Sequence, residues 1–343
     1  MNQVVDVHTH CMATGLEAQL PGGIVERRGR DFLATLKGIP MILYADALDI
    51  EKQVRVSAAA GVTKRLLSDS MLLATYSEAL AKPASDLAQQ INDRMASYVA
   101  RFPDQLFGLG TVCPLDARQL PEADRCIDRL GFKGIIVDTS WQGRFLDGED
   151  AYPFWEWAEA RKVTVFLHPP QVPIGADRQM DQYKLEESVG RPFDTAMSAA
   201  RLILSGVLDR YPNLKLHLAH MGGGVPMVIS RMDMGQRLGY DGLPGRAVAR
   251  CNLLPSEYLR RNFWADCMGF SAPGVRHMLE IFGVDRILLG TDYGPVPISP
   301  IEHIKMVESL ALSEDDKAKI LWKNADRLYD LQLAGQPEAA VHG

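Results

Sequence analysis

Four side chains with metal-binding chemistry fall at the ends of short apolar runs: His8 and His10 in Val5-Asp-Val-His-Thr-His10, His168 after Val163-Thr-Val-Phe-Leu167, and Asp292 after Leu289-Gly-Thr291. Alternation along an extended strand puts residues two apart on one side, so the imidazoles of His8 and His10 share a face, one at the last strand position and one just past it. Pro169-Pro170 cannot continue a sheet ladder and fixes the strand end at His168. Gly290 lies on the same face as Asp292 and leaves space beside that carboxylate. Three imidazoles and a carboxylate make an N3O set suited to zinc, with manganese the alternative, and one coordination position stays open for water or substrate. His220 ends the run Leu214-Lys-Leu-His-Leu-Ala-His220 at a rim position, where an imidazole can take or return a proton. His217, three residues earlier, has the opposite parity and is assigned to packing against helices.

The metal set is useful only if the chain brings these run ends to one place. Eight short, mostly apolar segments read as strands covered on both faces: Val4 to His8, Val62 to Leu67, Leu106 to Val112, Gly134 to Asp138, Val163 to His168, Leu214 to His220, Asn262 to Asp266 and Arg286 to Gly290. Between them lie helical patterns at Ile50 to Ala60, Ser85 to Phe102, Glu122 to Leu130, Tyr152 to Arg161, Pro192 to Arg210, Val225 to Leu238 and Pro273 to Phe282. Ser313 to Leu333 reads as a capped closing helix, acidic at its start and lysine-bearing further along. Strand and helix alternating eight times predict an α/β fold, a (β/α)8 TIM barrel in one domain over residues 1–334, with a frayed tail at 335–343. Long loops are expected after strands 1 (Cys11 to Asp49) and 5 (Pro169 to Arg191), on the face where such barrels build their pockets.

Composition narrows the possible partners. The 343 residues carry 37 basic and 43 acidic side chains intermixed along the chain, so no basic face for nucleic acid is indicated. The five cysteines are widely spaced without a CxxC pair, the N-terminus lacks an export signal, and no long apolar run suits a membrane span. A cytoplasmic protein acting on a small molecule is the expectation. Gly108-Leu-Gly110 and Gly222-Gly-Gly224 complete no phosphate loop and read as close backbone approaches. His277 and His303 are placed on outer helices in contact with solvent.

These motifs, together with Leu106-Phe-Gly-Leu-Gly110, Gly206-Val-Leu-Asp-Arg-Tyr-Pro-Asn-Leu-Lys215, His220-Met-Gly-Gly-Gly224 and Leu289-Gly-Thr-Asp-Tyr293, resemble the amidohydrolase superfamily. The likeness is to its amidohydrolase-2 branch, which includes aminocarboxymuconate semialdehyde decarboxylase and related metal-dependent decarboxylases. The resemblance implies His8, His10, His168 and Asp292 as metal ligands, His220 as catalytic base, Asp292 as a proton shuttle, and a homodimer. Two-metal members add a lysine or glutamate at the end of strand four; here that strand ends Ile136-Val-Asp138, so one metal is expected, with Asp138 the other acid considered. The arginine that grips a substrate carboxylate in the semialdehyde enzymes has no counterpart in Pro40-Met-Ile-Leu-Tyr44; Arg27, Arg28, Arg30 and Arg237 are the substitutes weighed. Salicylate- and resorcylate-type decarboxylases usually open with Glu-x-His, unlike this chain. The implied activity is non-oxidative decarboxylation of a small aromatic, heteroaromatic or muconate-type acid, with hydrolysis of an amide, lactone or carbon–carbon bond as the rival.

Overall fold

The chain was analysed as a computed structural model that describes residues 3–13, 25–36, 39–176, 178–180, 182–239, 247–269 and 271–333. All eight apolar runs are extended. They pair in parallel and in chain order as β1 (Val5–His10), β2 (Lys64–Ser68), β3 (Leu106–Thr111), β4 (Gly134–Asp138), β5 (Thr164–His168), β6 (Lys215–Leu218), β7 (Phe263–Asp266) and β8 (Ile287–Leu288). Backbone bonds join the last strand to the first: Val7 N donates to Leu289 O at 3.0 Å, Asp292 N to His8 O at 2.7 Å and His10 N to Tyr293 O at 3.2 Å. Helices fill the crossovers, so the architecture is the expected (β/α)8 barrel.

One irregularity bears on the site. In the β1–β2 ladder Asp6 faces Arg65 whereas Thr9 faces Leu67, so three residues of β1 advance against two of β2. This bulge re-aims the strand just before its two histidines.

The barrel interior holds Val5, Leu66, Leu109, Ile136, Phe166 and Leu288, and Leu328, Tyr329, Leu331 and Leu333 of the C-terminal segment join the same cluster. Thr164, at the start of β5, donates through Oγ1 to Leu328 O at 2.8 Å. The C-terminal segment therefore plugs the N-terminal ends of the strands and leaves the opposite mouth for chemistry.

Three segments differ from the sequence reading. The region after β1 carries a three-stranded antiparallel sheet, Val25–Arg28, Asp31–Leu36 and Ile39–Leu43, where a loop was expected. Its first two strands are short and joined at Gly29, whose φ of 64° is a turn conformation easily passed over in so charged a stretch. The helix expected from Pro192 to Arg210 breaks into Arg191–Leu204 and Val207–Arg210, with Gly206 between them at φ 84°. The closing helix is α-helical only over Glu314–Ala318 and Asn324–Tyr329, separated by a π-turn, although Ser313 caps it as predicted by accepting from Asp316 N. The predicted tail at 335–343 lies outside the described residues. Among the described residues no helix is long and apolar enough to cross a membrane.

Candidate metal centre

The four ligands inferred from position meet at the mouth: one ligand atom from each of His8, His10, His168 and Asp292 lies within 4.8 Å of all the others, and all four residues are buried. Each imidazole is oriented through its Nδ1. His8 Nδ1 is 2.8 Å from Asp266 Oδ2, His10 Nδ1 is 2.8 Å from Ser68 Oγ, and His168 Nδ1 donates to its neighbour Pro169 O at 3.0 Å. With Nδ1 committed, the lone pair falls on Nε2 and the ring direction is fixed. All three Nε2 atoms are buried without a hydrogen-bond partner.

That is the arrangement a metal ion would complete. Asp292 Oδ1 stands 3.6 Å from His8 Nε2 and 3.3 Å from His10 Nε2. Donors about 2.1 Å from a tetrahedral cation are separated by edges of about 3.4 Å, so these residues fit a divalent ion. Protonation states agree. Burial lowers His10 to about 3 and takes His168 well below the ordinary imidazole value, so both are neutral at neutral pH, as a metal donor must be. For Asp292 burial pushes upward, but the surrounding imidazoles, His8 foremost, outweigh it and hold the carboxyl at about 2. His8 differs: burial opposes its charge, yet Asp266 and Asp292 together raise its pKa.

His220 reaches the same space by an unusual backbone. β6 ends at Leu218, and His220 sits at φ 53° with Nε2 3.4 Å from Asp292 Oδ2. Asp292 itself has φ 56°. A left-handed conformation costs a non-glycine residue about 1–2 kcal/mol, and both sites of this strain carry the groups best placed for proton movement.

The turn at Ala219-His220 also overturns the parity argument for His217. Its side chain points into the barrel, stacked on Phe166 with ring centroids 4.0 Å apart, and the helix it meets is the C-terminal Asn324–Tyr329 that closes the floor. His217 Nδ1 is 2.8 Å from Tyr329 Oη and His217 Nε2 is 3.2 Å from Asp266 Oδ2. Burial keeps the Tyr329 hydroxyl protonated and His217 neutral, so Tyr329 donates to Nδ1 and His217 donates from Nε2 to Asp266. His303 is likewise buried, not solvated, and burial lowers it to about 4.

Asp266 is the functional residue that the sequence reading missed. Its Oδ2 serves His8 and His217, while its Oδ1 accepts from the backbone N–H of His220 and of Met268, both at 3.1 Å. One carboxylate thus orients the His8 imidazole and fixes the turn that presents His220. Burial raises its pKa, but the His8 and His217 imidazoles pull it below the ordinary carboxylate range. Its signal was available: an acid at the end of a strand, on the rim that carries the ligands. Gly290 makes room, but for Asp266 and His8 and not beside Asp292 as the sequence suggested. A Cβ there would lie 2.6 Å from Asp266 Cβ and 2.8 Å from His8 Cβ.

Asp138 stays outside the converging set. Its Oδ2 accepts from Ala74 N at 3.2 Å, and burial raises its pKa to about 8. Arg27, Arg28, Arg30 and Arg237 are all exposed, which fits surface charge.

Enzymes on this barrel work from the C-terminal ends of the strands, and a nitrogen-rich donor set gathered there defines a metal-dependent one. The chain belongs to the amidohydrolase family, whose pattern it matches over residues 5–331. It is 34% identical over 250 residues to 2-amino-3-carboxymuconate-6-semialdehyde decarboxylase of Dictyostelium discoideum, covering 71% of this chain and 67% of that one. Over 305 residues it is 31% identical to gamma-resorcylate decarboxylase of Polaromonas sp. (strain JS666), covering 84% and 90% of the two chains. Among solved structures it resembles a dihydroxybenzoic acid decarboxylase from Polaromonas sp. JS666 with bound manganese and the inhibitor 2-nitroresorcinol. That likeness has a TM-score of 0.78 and 26% identity, over 96% of this chain and 98% of the other. These relatives are carboxy-lyases, and the chain is an enzyme of that class.

Proposed function

We propose that the chain is a metal-dependent, non-oxidative decarboxylase of a small aromatic, heteroaromatic or muconate-type carboxylic acid. The observation that carries this reading is the set of three unpartnered Nε2 atoms and Asp292, with His220 Nε2 3.4 Å from the free oxygen of that carboxylate. His8, His10, His168 and Asp292 would hold one divalent ion, zinc on donor chemistry, with manganese, found in the Polaromonas relative, as the alternative. When bound, such an ion supplies a Lewis acid that polarises a coordinated oxygen and neutralises developing negative charge.

The remaining work falls to the protein. His220 gives a proton to the carbon that bears the leaving carboxylate, which bonds it with a π pair of the conjugated system; the carbon–carboxylate bond then breaks, its electron pair restores that π bond, and CO2 departs. Asp292, ionised and beside His220, is placed to pass the proton on. Asp266 holds both His8 and the His220 backbone through this exchange.

The test is metal analysis of purified protein, then a panel of hydroxylated benzoates, pyridine carboxylates and muconates assayed for CO2 in 18O-labelled water. CO2 with no label in the organic product is expected. Label in a new carboxylate without CO2 would make the enzyme a hydrolase instead.

A homodimer is also proposed. Met227, Met234 and Leu238 of helix Val225–Leu238, together with Phe193 and Met197 of helix Arg191–Leu204, are exposed on helices that pack together. Exposed apolar side chains on adjoining helices would suit the association of two copies. Sedimentation should give twice the chain mass, and Met227→Lys combined with Met234→Lys should give monomer.

A further inference from the structure

Arg191 opens the helix Arg191–Leu204, near enough to the candidate metal centre for its charge to reach His168, and among the described residues it forms no ion pair. Its Nη2 donates to Gln171 Oε1, and Gln171 Nε2 donates onward to Ser70 O at 3.1 Å. Gln171 lies three residues beyond His168, and Ser70 lies two beyond Ser68, the partner of His10. The guanidinium is therefore tethered to the segment after β5, which carries His168, and to the segment after β2, which carries the Ser68 partner of His10. One turn along, Asp194 pins the helix: it accepts from Thr139 Oγ1 at 2.5 Å, Ser140 Oγ at 3.1 Å and Ile174 N at 2.7 Å, joining the end of β4 to the segment after β5.

Arg191 Nε is buried and has no hydrogen-bond partner. Among the described residues no carboxylate is within ion-pair distance of it; Glu187, Asp292 and Glu186 act only through their fields. Its own charge is felt at His168. A guanidinium cannot neutralise itself by losing a proton, and this half-buried one, its Nε without an acceptor and its Nη2 bonded to a neutral amide, keeps donors free for an anion. A bound anion would supply what is missing.

Which anion follows from the reaction. Stabilising the carboxylate that must leave as neutral CO2 would deepen the ground state more than the transition state and slow the enzyme. We infer that Arg191 anchors a second, retained carboxylate, so that the substrates of this enzyme are dicarboxylic acids, one carboxylate reacting beside His220 and the other held at Arg191. The inference rests on the decarboxylase reading for which carboxylate leaves, but its test does not need turnover.

Metal-loaded wild-type protein is titrated calorimetrically with benzoate and with benzene-1,2-, 1,3- and 1,4-dicarboxylate, and metal per chain is measured alongside. At least one dicarboxylate should bind about 10- to 100-fold more tightly than benzoate, the range of a charge-assisted pair. Arg191→Gln should erase that advantage while leaving benzoate affinity within about twofold of wild type, and Arg191→Lys should retain part of it. Equal binding of benzoate and all three diacids by wild type would overturn the inference. So would an Arg191→Gln protein that weakens benzoate as much as the diacid, or one that loses its metal. If Arg191→Gln does not fold, Arg191→Lys decides, since an undiminished diacid preference there overturns the proposal. Failure of every acid to release CO2 would sink the decarboxylase reading and leave this binding contrast standing.

Discussion

The two ends of the barrel are made from the same strands and differ in what they leave unsatisfied. At the floor, Thr164 donates to Leu328 O, Tyr329 donates to His217, and Leu328, Leu331 and Leu333 close the interior around them. At the mouth, Nε2 of His8, His10 and His168 and Nδ1 of His220 are buried without partners, and His220 and Asp292 hold left-handed backbones. Each unpaired buried polar atom costs about 1–3 kcal/mol; among the described residues the floor cluster has one, Trp264 Nε1, whereas the Nε2 atoms of His8, His10 and His168 at the mouth face a common space where a ligand would offset them. The chain Tyr329–His217–Asp266–His8 links the two ends, so the difference between them can be probed by cutting that chain at successive points.

The cut with the largest expected effect is at the mouth itself. His220→Asn should lower CO2 release about 10²- to 10⁴-fold while metal per chain, read by elemental analysis, stays at the wild-type value, because Asp266 holds the His220 backbone and not its ring. Loss of metal together with activity would mean that His220 is a ligand.

Asp266→Asn comes next. Removing a carboxylate that orients a ligand histidine typically weakens metal binding about 10- to 100-fold. The sign of its pH dependence is diagnostic. In the wild type Asp266 helps raise the His8 pKa, so below that value a proton on His8 competes with the metal and affinity falls about tenfold per pH unit. The variant lacks that proton-holding partner, so its deficit should be largest at pH 8 and should narrow by pH 6. A deficit that widens on acidification would indicate general damage to the mouth. In the wild type itself, metal loading at pH 6 should release about one proton, from His8, because burial already keeps His10 and His168 neutral.

How much of this was legible in the sequence depended on the reach of a strand. The eight apolar runs and the convergence of His8, His10, His168 and Asp292 on one mouth follow from regular alternation and from positions at strand ends, whereas the space at Gly290 serves Asp266 and His8 and not Asp292. Where the backbone leaves regular geometry, periodicity misleads. His217 was placed on the outer face by counting back from His220, but the strand stops at Leu218 and His220 reaches the mouth through φ 53°, so the two histidines need not alternate. The β1 bulge is invisible for the same reason. Asp266 and Arg191 went unread because their significance lies in partners 258 and 20 residues away in sequence, His8 and Gln171, and no local pattern announces either contact.

The smaller cuts lie further down the chain. Gly290→Ala puts a Cβ within 2.6 Å of Asp266 Cβ and 2.8 Å of His8 Cβ. Neither neighbour can yield without moving the other, so the overpacking should cost about 1–3 kcal/mol of stability, read as a lowered midpoint in denaturant, with weaker metal binding alongside. Tyr329→Phe should be the mildest. It leaves His217 Nδ1 buried without its donor, a loss of about 1 kcal/mol in unfolding free energy, but His217 keeps its contact with Asp266 and its stack on Phe166. Metal affinity should therefore stay within about threefold of wild type, since a side chain held on two other sides transmits little of the change. A Tyr329→Phe defect in metal binding as large as that of Asp266→Asn would show that the floor positions the mouth through His217, and that the two ends, so different in what they satisfy, act as one unit.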